Sequence, residues 1–448
     1  MFKKVKLSAN ILFSGIGCQE QGIKDTNLFD LNVVCTSDIN KDSILSYAIL
    51  HCGLTMELVE TYKNYPTKEK MCKELVDKNI GYNFKTNKIY DWFNKDEFTV
   101  KKYWLAVKLS NNLGDISKIK ELSYADLWTV SFPCTDISLS GKMKGLAEGS
   151  NTSSSLLWEQ IRLLKLAISK NNSPKYLLFE NVSNLVSKLF ISNFQQLVDI
   201  LTDLGYNCYY KVINSKDCGI PQSRERLYCI CIRKDIDTKK FKFPMSFDNK
   251  TRIVDILEET YDINCIKACY SDIAELNKEC YNSHTLFPLL ISNYNRYTNT
   301  KPNEIIVLAD IKSHNNLYGN ELLKETLHQG NKIFDINGIS PTMTASGGGL
   351  GGSSGLYLIF DSRLNSYVIR QLNGIESYRL MGINIDNICA KSLCDLGVTD
   401  NQMGFQAGNG IVTNVIQLII EHLYKTLYDN NFICTDEKMV RIRNKVLF

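Results

Sequence analysis

With 448 residues, the chain is long enough to bury a large core and to form two or three domains. Its composition, with 44% hydrophobic and 22% charged residues, is ordinary for a globular protein, and a net charge of +4 permits a polyanionic partner without requiring one. Fifteen scattered cysteines without paired CxxC motifs argue against structural zinc and against a disulfide framework. With no signal peptide and no long apolar span, we expect a cytoplasmic protein without a membrane segment.

The N-terminal segment has the pattern of a nucleotide-binding strand and turn. The apolar run 5–13 predicts a strand, and Ser14-Gly15-Ile16-Gly17 predicts a glycine turn that leads into a helix. Glycines at such a turn let the backbone approach a ligand closely. A second predicted strand, 31–37, ends at Asp38, about 20 residues after Gly17, where an acid can bind ribose hydroxyls. The segment therefore predicts a cofactor site.

Strand and helix patterns alternate over residues 1–235 and predict an α/β fold with a doubly wound sheet. Residues 55–110, rich in Lys, Tyr and Glu, are predicted to be an inserted helical segment, and no function can be inferred for them. Beyond residue 258 the alternation is lost, so we expect a second, smaller domain over 259–400. An apolar helix over 411–427 is predicted to return to the main sheet, so that 401–448 completes a catalytic domain formed by 1–258.

Chemically reactive side chains follow the ends of several predicted strands. Cys134 comes directly after Pro133, which ends the apolar strand 127–130. Glu180 ends the next predicted strand, and Arg224 and Arg226 precede a later one. A thiolate nucleophile, a proton-donating carboxyl and paired guanidiniums fit covalent attack on an electron-poor ring. Taken alone, Cys134 is more simply read as a buried structural thiol, Glu180 as an acid at the start of a helix, and the arginines as partners in surface ion pairs. The prediction therefore depends on their combination.

Taken in order, these segments closely resemble the DNA (cytosine-5)-methyltransferase family. The resemblance covers most of the chain outside the middle of the smaller domain. Six motifs match in the family's order. The first four are the FxGxG-like turn Phe13–Gly17, the PCQxxS-like segment Pro133–Ser138, the ENV motif Glu180–Val182 and the QxRxR motif Gln222–Arg226. The last two are the segment Arg370–Gly382, which matches the family's helix with arginine and glutamate, and the final motif Gln406–Asn409.

The sequence departs from the family's pattern at four places. Thr135 stands where glutamine is usual, and Ser153 stands where an arginine often occurs. Asn373 and Gly374 replace the usual Thr-Pro, and Gly374 is expected to loosen the start of the following helix. None of these changes removes a group that makes or breaks a bond, so we expect an active enzyme.

The resemblance implies a Rossmann-like, mostly parallel sheet that binds S-adenosyl-L-methionine at its carboxyl edge. It implies that Asp38 binds the ribose and Asp115 the adenine amine, and that Asn409, in the last motif, reaches the cofactor. Phe13 would stack nearby. The remaining predicted cofactor-binding residues are Gly15, Ile16, Gly17, Ile39 and Ile116.

The resemblance also implies the reaction. Cys134 would attack C6 of a cytosine extruded from duplex DNA, while Glu180 protonates or hydrogen-bonds N3. Arg226, together with Arg224, would hold the O2 atom of the base. C5 would then take the methyl group, and loss of the C5 proton would expel Cys134. Region 259–400 would be a target-recognition domain that reads a specific duplex DNA sequence through the major groove.

Three alternatives stay open at this point. The same chemistry could act on tRNA, although the Cys-Phe-Thr tripeptide of that branch is absent. The chain could be a non-catalytic DNA-binding protein on a decayed enzyme scaffold, although the intact residues Cys134, Glu180, Arg224, Arg226 and Asn409 argue against it. A nicotinamide dehydrogenase could share the first 40 residues but would not explain the later motifs. We expect a monomer. A cognate restriction endonuclease could belong to the same system, and the sequence does not decide this.

Overall fold

The computed structural model describes residues 4–83, 86–132, 156–244, 246, 249–259, 266–269, 303–310, 329–345, 347 and 351–429. Cys134, Thr135 and Ser153 lie outside the described residues. The described strands are β1 (Val5–Leu12), β2 (Phe29–Ser37), β3 (Leu127–Val130), β4 (Tyr176–Val182), β5 (Tyr206–Asn214), β6 (Glu225–Arg233), β7 (Ile266–Cys269), β8 (Val307–Asp310), β9 (Lys332–Asp335), β10 (Leu356–Asp361) and β11 (Ser366–Arg370).

The described α-helices are α1 (Cys18–Asp25), α2 (Lys41–Cys52), α3 (Met56–Thr61), α4 (Lys68–Asp77), α5 (Glu97–Leu109), α6 (Leu157–Ser169), α7 (Ile191–Asp203), α8 (Gly374–Arg379), α9 (Asn387–Asp395), α10 (Asp400–Asn409) and α11 (Thr413–Tyr428). In this part of the chain we find no helix that combines the length and the apolar character of a membrane span.

The main sheet has six described strands in the order β2-β1-β3-β4-β6-β5. The first four strands are parallel, and β6 runs antiparallel to both β4 and β5. The carboxyl ends of β1 to β4 therefore meet at one edge, which also receives the start of β6. This arrangement confirms the predicted α/β fold with a doubly wound, mostly parallel sheet.

Side chains alternate between two hydrophobic cores, one on each face of this sheet. Along β4, Tyr176 and Leu178 join one core, whereas Leu177 and Phe179 join the other. The first core contains residues of α1, α2, α5 and α11, and the second contains residues of α6 and α7. Because both faces are covered, the central strands are almost wholly apolar and the polar side chains collect at the strand ends.

A second described sheet has the order β7-β11-β10-β9-β8 and lies within the range predicted for target recognition. Its strands are antiparallel except for the β9–β10 pair. The two sheets are joined at Gln222, whose side-chain oxygen accepts from the Met343 amide at 2.9 Å. Ser223 adds a backbone bond, since its amide donates to the Ser340 carbonyl at 2.8 Å. The boundaries at 258 and 400 stay a prediction.

The helix α8 begins at Gly374 in spite of the missing proline. Asn373 caps it in a reciprocal capping box with Glu376, and the Gly374 amide donates to Asp400 Oδ1 at 2.8 Å. A proline at this position could not make that hydrogen bond, and a Cβ on Gly374 would lie 2.1 Å from Met403 Cε. The glycine therefore fits a close contact between α8 and α10.

Candidate active site

The turn after β1 is a tight loop in which three residues adopt a left-handed backbone conformation. Phe13, Gly15 and Gly17 have positive φ angles of 53°, 52° and 86°. A Cβ on Gly17 would lie 2.2 Å from the Nε2 atom of His51, so glycine is required there both by conformation and by space. The His51 ring nitrogen lies 3.0 Å from the Ile16 carbonyl oxygen and fixes the turn against α2.

Asp38 follows β2 and faces this turn. Its carboxylate accepts from the Gly15 amide at 2.8 Å and from the Asn40 amide at 2.8 Å. Burial raises the pKa of Asp38, and these amide donors oppose the rise. A carboxylate offers about four acceptor positions, so capacity remains for hydroxyl donors of a ligand.

Asp115 stands at the start of a short 3-10 turn, Ile116–Lys118, along the same edge of the sheet. Its Oδ1 accepts from the Ser117 amide at 2.9 Å and from the Ser117 hydroxyl at 2.7 Å. Its Oδ2 accepts from Asn79 Nδ2 at 2.8 Å. The Ser37 hydroxyl donates to the Gly114 carbonyl at 2.7 Å, and this bond ties the Asp115 turn to the end of β2.

These residues suit a ligand with hydroxyl and amine donors, as S-adenosyl-L-methionine has. Asp38 and Asp115 supply accepting carboxylates, and Gly15 has open space where a side chain would stand. The Ser14 hydroxyl in this turn is buried and has no hydrogen-bond partner among the described residues. Two predicted neighbours, Ile16 and Ile116, are buried; Phe13 and Ile39 are half-buried.

Arg224 lies close to the predicted cofactor residue Asn409. Its guanidinium donates to the carbonyls of Gly408 at 3.0 Å and Gly410 at 2.8 Å, the residues on either side of Asn409, and to Met343 at 2.7 Å. Asn409 is exposed at the end of α10. Sequence reasoning assigned Arg224 to the base and missed this contact, since no local pattern shows which carbonyls a buried arginine will meet.

Glu180 and Arg226 are brought together at the carboxyl edge. Arg226 Nε lies 3.3 Å from Glu180 Oε1, and both side chains are mostly buried. The antiparallel pairing of β4 and β6 places Glu180 opposite Tyr228 and Val182 opposite Arg226, so Glu180 and Arg226 are diagonal neighbours on the same face of adjacent strands. Burial raises the pKa of Glu180 in spite of the opposing charges of Arg226 and Arg224.

The end of β3 is fastened beside Glu180. Asn181 Nδ2 donates to the Phe132 carbonyl at 3.1 Å, and Gln19 Nε2 donates to the Ser131 hydroxyl at 3.3 Å. Phe132 is the last described residue before Pro133-Cys134. The sequence shows Asn181 only as part of the Glu-Asn-Val motif, and the structure gives this asparagine a definite positioning contact.

The site thus has two regions along one sheet edge. One contains the glycine turn, Asp38 and Asp115, and the other contains the Glu180–Arg226 pair beside the end of β3. Arg224 connects the second region to the segment that carries Asn409. Within the described residues, no group of His, Cys, Asp and Glu side chains could hold a metal ion.

Comparison with known proteins agrees with this geometry. The family described as C-5 cytosine-specific DNA methylase matches residues 78–425. The chain belongs to this family. It is a DNA (cytosine-5-)-methyltransferase, and the predicted membership is confirmed.

The methyltransferase is similar to named relatives over almost its whole length. It is 30% identical over 418 residues to the type II methyltransferase M2.ScrFI of Lactococcus lactis subsp. cremoris, covering 92% of this chain and 98% of the relative. It is 28% identical over 434 residues to the orphan methyltransferase M.SssI of Spiroplasma monobiae, covering 94% and 98%. The solved structure of the Entamoeba histolytica methyltransferase EhMeth matches at 16% identity with a TM-score of 0.54, covering 95% and 99%, and supports the fold.

Proposed function

We propose that this methyltransferase transfers a methyl group from S-adenosyl-L-methionine to C5 of a cytosine flipped out of a specific duplex DNA sequence, through a covalent bond between Cys134 and C6. The observation that carries the proposal is the buried Glu180–Arg226 pair at the end of β4, with the end of β3 fastened beside it. A carboxyl whose pKa is raised by burial is suited to donate a proton to a ring nitrogen.

The methyl donor would be held at the first region of the site. Asp38 would accept hydroxyl donors, Asp115 would accept an amine, and the turn of Gly15 and Gly17 would allow close approach of the backbone. Phe13 and Asn409 complete the proposed set. When bound, the donor supplies an electrophilic methyl group on a sulfonium sulfur.

The chain's own groups would activate the base. The thiolate of Cys134 forms a bond to C6, and Glu180 donates to N3 so that negative charge does not accumulate on the ring. Arg226 would orient the base through O2, close to the carboxyl with which it pairs. C5 would then act as the nucleophile toward the methyl group, with S-adenosylhomocysteine as the leaving group, and the N3 proton would return to the Glu180 carboxylate. Loss of the C5 proton to solvent would re-form the C5–C6 double bond, break the C6–sulfur bond and restore the thiolate.

The DNA partner follows from the same proposal. Extruding the cytosine costs roughly a few kcal/mol, which contacts in the pocket would offset. The second sheet and the residues around it would read the target sequence. One relative is named a type II enzyme and another an orphan enzyme, so a cognate endonuclease is one of two proposed settings. A monomeric state and a cytoplasmic location stay predictions.

Bisulfite sequencing of DNA from an expressing host tests this function and identifies its target together. We expect 5-methylcytosine at one short sequence with the wild-type chain and none with Cys134→Ser. Purified tRNA serves as the competing substrate for the alternative reading. The proposal would be contradicted if tRNA were methylated while DNA stayed unmodified, or if Cys134→Ser methylated DNA fully.

A further inference from the structure

We propose that Asn79, in the segment 55–110 for which the sequence indicates no function, is a positioning residue that orients the Asp115 carboxylate toward the adenine amine of the methyl donor. The inference rests on the proposed function, because it assumes that Asp115 binds the adenine. It gives the inserted segment a role in recognition of the donor's base.

The Asn79 amide is fixed in one orientation by its two partners. Lys118 Nζ donates to Asn79 Oδ1 at 2.8 Å, and an ammonium group can only donate. The oxygen of the amide must therefore face Lys118. The nitrogen must then face Asp115, where it donates to Oδ2 at 2.8 Å.

The Asp115 carboxylate is consequently held at both oxygens. Ser117 supplies two donors to Oδ1, from its amide and from its hydroxyl. Asn79 supplies one donor to Oδ2 and leaves acceptor capacity on that oxygen. Rotation about the bond to the carboxylate would break these contacts, so the remaining lone pair points in a fixed direction.

The backbone around Asn79 is docked independently of its side chain. The Asp115 amide donates to the Lys78 carbonyl at 3.0 Å, and a Cβ on Gly114 would lie 2.2 Å from that same oxygen. Lys118 Nζ also donates to the Asp77 carbonyl at 3.0 Å. Asn79 itself has a φ of 56°, a conformation that glycine adopts without strain. Asn79→Gly should therefore remove the amide and leave the docking of the α4 end in place.

The chemistry of the contact predicts a specific effect on base recognition. An ionised carboxylate accepts from the exocyclic amine of adenine, whereas hypoxanthine presents a carbonyl oxygen at that position and has its nearest donor on the ring at N1. If Asn79 orients Asp115, its loss should weaken binding of the adenine form and leave the hypoxanthine form almost unchanged. A residue that only stabilises the fold would affect both forms alike.

The test is calorimetric titration of the full chain with S-adenosylhomocysteine and with S-inosylhomocysteine. For Asn79→Gly we expect the Kd of S-adenosylhomocysteine to rise about tenfold, the effect of losing one hydrogen bond to a charged group. The Kd of S-inosylhomocysteine should stay within about twofold, since no bond to that base is lost. Equal weakening of both ligands, or no weakening of either, would overturn the inference.

Two further variants make the result decisive. Asn171→Gly is the matched control, because Asn171 follows α6 with a φ of 54° and an exposed side chain, and we expect it to leave both affinities unchanged. Asn79→Asp keeps the shape but places an acceptor against Asp115, so it should lower the preference for adenine even if the glycine variant is unstable. An unchanged preference in folded Asn79→Asp contradicts the inference. A wild-type chain that binds neither ligand contradicts the proposed function instead.

Discussion

Glu180 is the described residue whose protonation state the proposed chemistry depends on. It lies beside Arg226, a partner that favours the ionised form, yet burial raises its pKa above the ordinary value. The same side chain can thus donate a proton to the base and remain anchored by the guanidinium when it is ionised. This balance separates Glu180 from a surface carboxylate, for which solvent would determine the pKa.

Replacing Glu180 by glutamine should separate catalysis from stability. In Glu180→Gln the group that donates a proton is lost, so the methyl-transfer rate should fall by about 10²- to 10⁴-fold. The melting temperature should change little, because burial already disfavours the ionised form of Glu180 and the Arg226 guanidinium is not fully buried. Glu225→Gln, a change at an exposed residue of β6, is the control and should leave both quantities unchanged. Near wild-type rates in Glu180→Gln would mean that another group serves N3.

The pH dependence gives a second readout of the same group. A carboxyl with a raised folded-state pKa contributes relative stability below its unfolded value of 4.5, and this contribution is lost as the pH rises through the folded value. The rate of methyl transfer should show a limb that falls over the same range, because the donating form disappears. That limb should be missing from the residual activity of Glu180→Gln, measured as single-turnover rates against pH.

The glycine turn makes a second prediction for a single residue. Gly17→Ala places a Cβ against His51 and strains a left-handed backbone, so we expect a loss of about 1–3 kcal/mol in the free energy of unfolding. Binding of S-adenosylhomocysteine should weaken as well. Gly404→Ala is the control, since Gly404 lies within α10 and a Cβ there would meet no atom within 4 Å outside the helix backbone, so alanine should stabilise by about 0.5–1 kcal/mol. Urea unfolding of both variants measures the contrast, and equal effects would contradict this account of the turn.

At the scale of elements, the connection between β11 and α8 depends on one buried ion pair. Arg370 donates to both oxygens of Glu376 at 2.7 Å, and both side chains are fully buried. Glu376 also accepts from the backbone amides of Asn373 and Glu258, each at 2.9 Å. The carboxylate therefore unites the end of the second sheet, the start of α8 and the chain that leaves the main sheet.

Breaking this pair from one side should be costly. Glu376→Gln leaves the Arg370 charge buried without its counter-charge, and we expect a loss of about 3–5 kcal/mol of stability. The double variant Arg370→Met with Glu376→Gln should recover part of that loss, because the buried charge is removed. Chemical denaturation measures both, and a double variant less stable than the single one would contradict the electrostatic explanation.

Much of the fold could be predicted from local patterns, and the exceptions have physical reasons. Apolar runs and turn residues predicted β1, β4 and α11 within a few residues, because burial on both sheet faces leaves a strong apolar signal. The contacts of Arg224 with Gly408 and Gly410 could not be predicted, since they join parts of the chain far apart in sequence. The contact of Asn79 with Asp115 could not be predicted either, because Asn79 lies in a helical segment whose polar residues resemble an ordinary solvent-exposed face.

At the scale of the whole molecule, the fold brings distant motifs to one sheet edge. Asp38 follows β2, Asp115 lies in the turn between α5 and β3, and Glu180 lies near the end of β4. Arg226 enters from the antiparallel strand β6. The second sheet is attached through Gln222, whose Nε2 also donates to the Leu380 carbonyl at 3.1 Å. One buried amide thus contacts both the loop after β9 and the segment after α8, so the two sheets are held in a defined relation.

The covalent bond that we propose between Cys134 and cytosine can be trapped with duplex DNA that carries 5-fluorocytosine at the target position. Fluorine at C5 cannot leave as a proton does, so the attacked and methylated base should remain bonded to the enzyme. We expect a complex that survives denaturing electrophoresis, requires S-adenosyl-L-methionine, and is absent with Cys134→Ser. A wild-type enzyme that methylates normal DNA but forms no such complex, or a complex that persists in Cys134→Ser, would contradict the account.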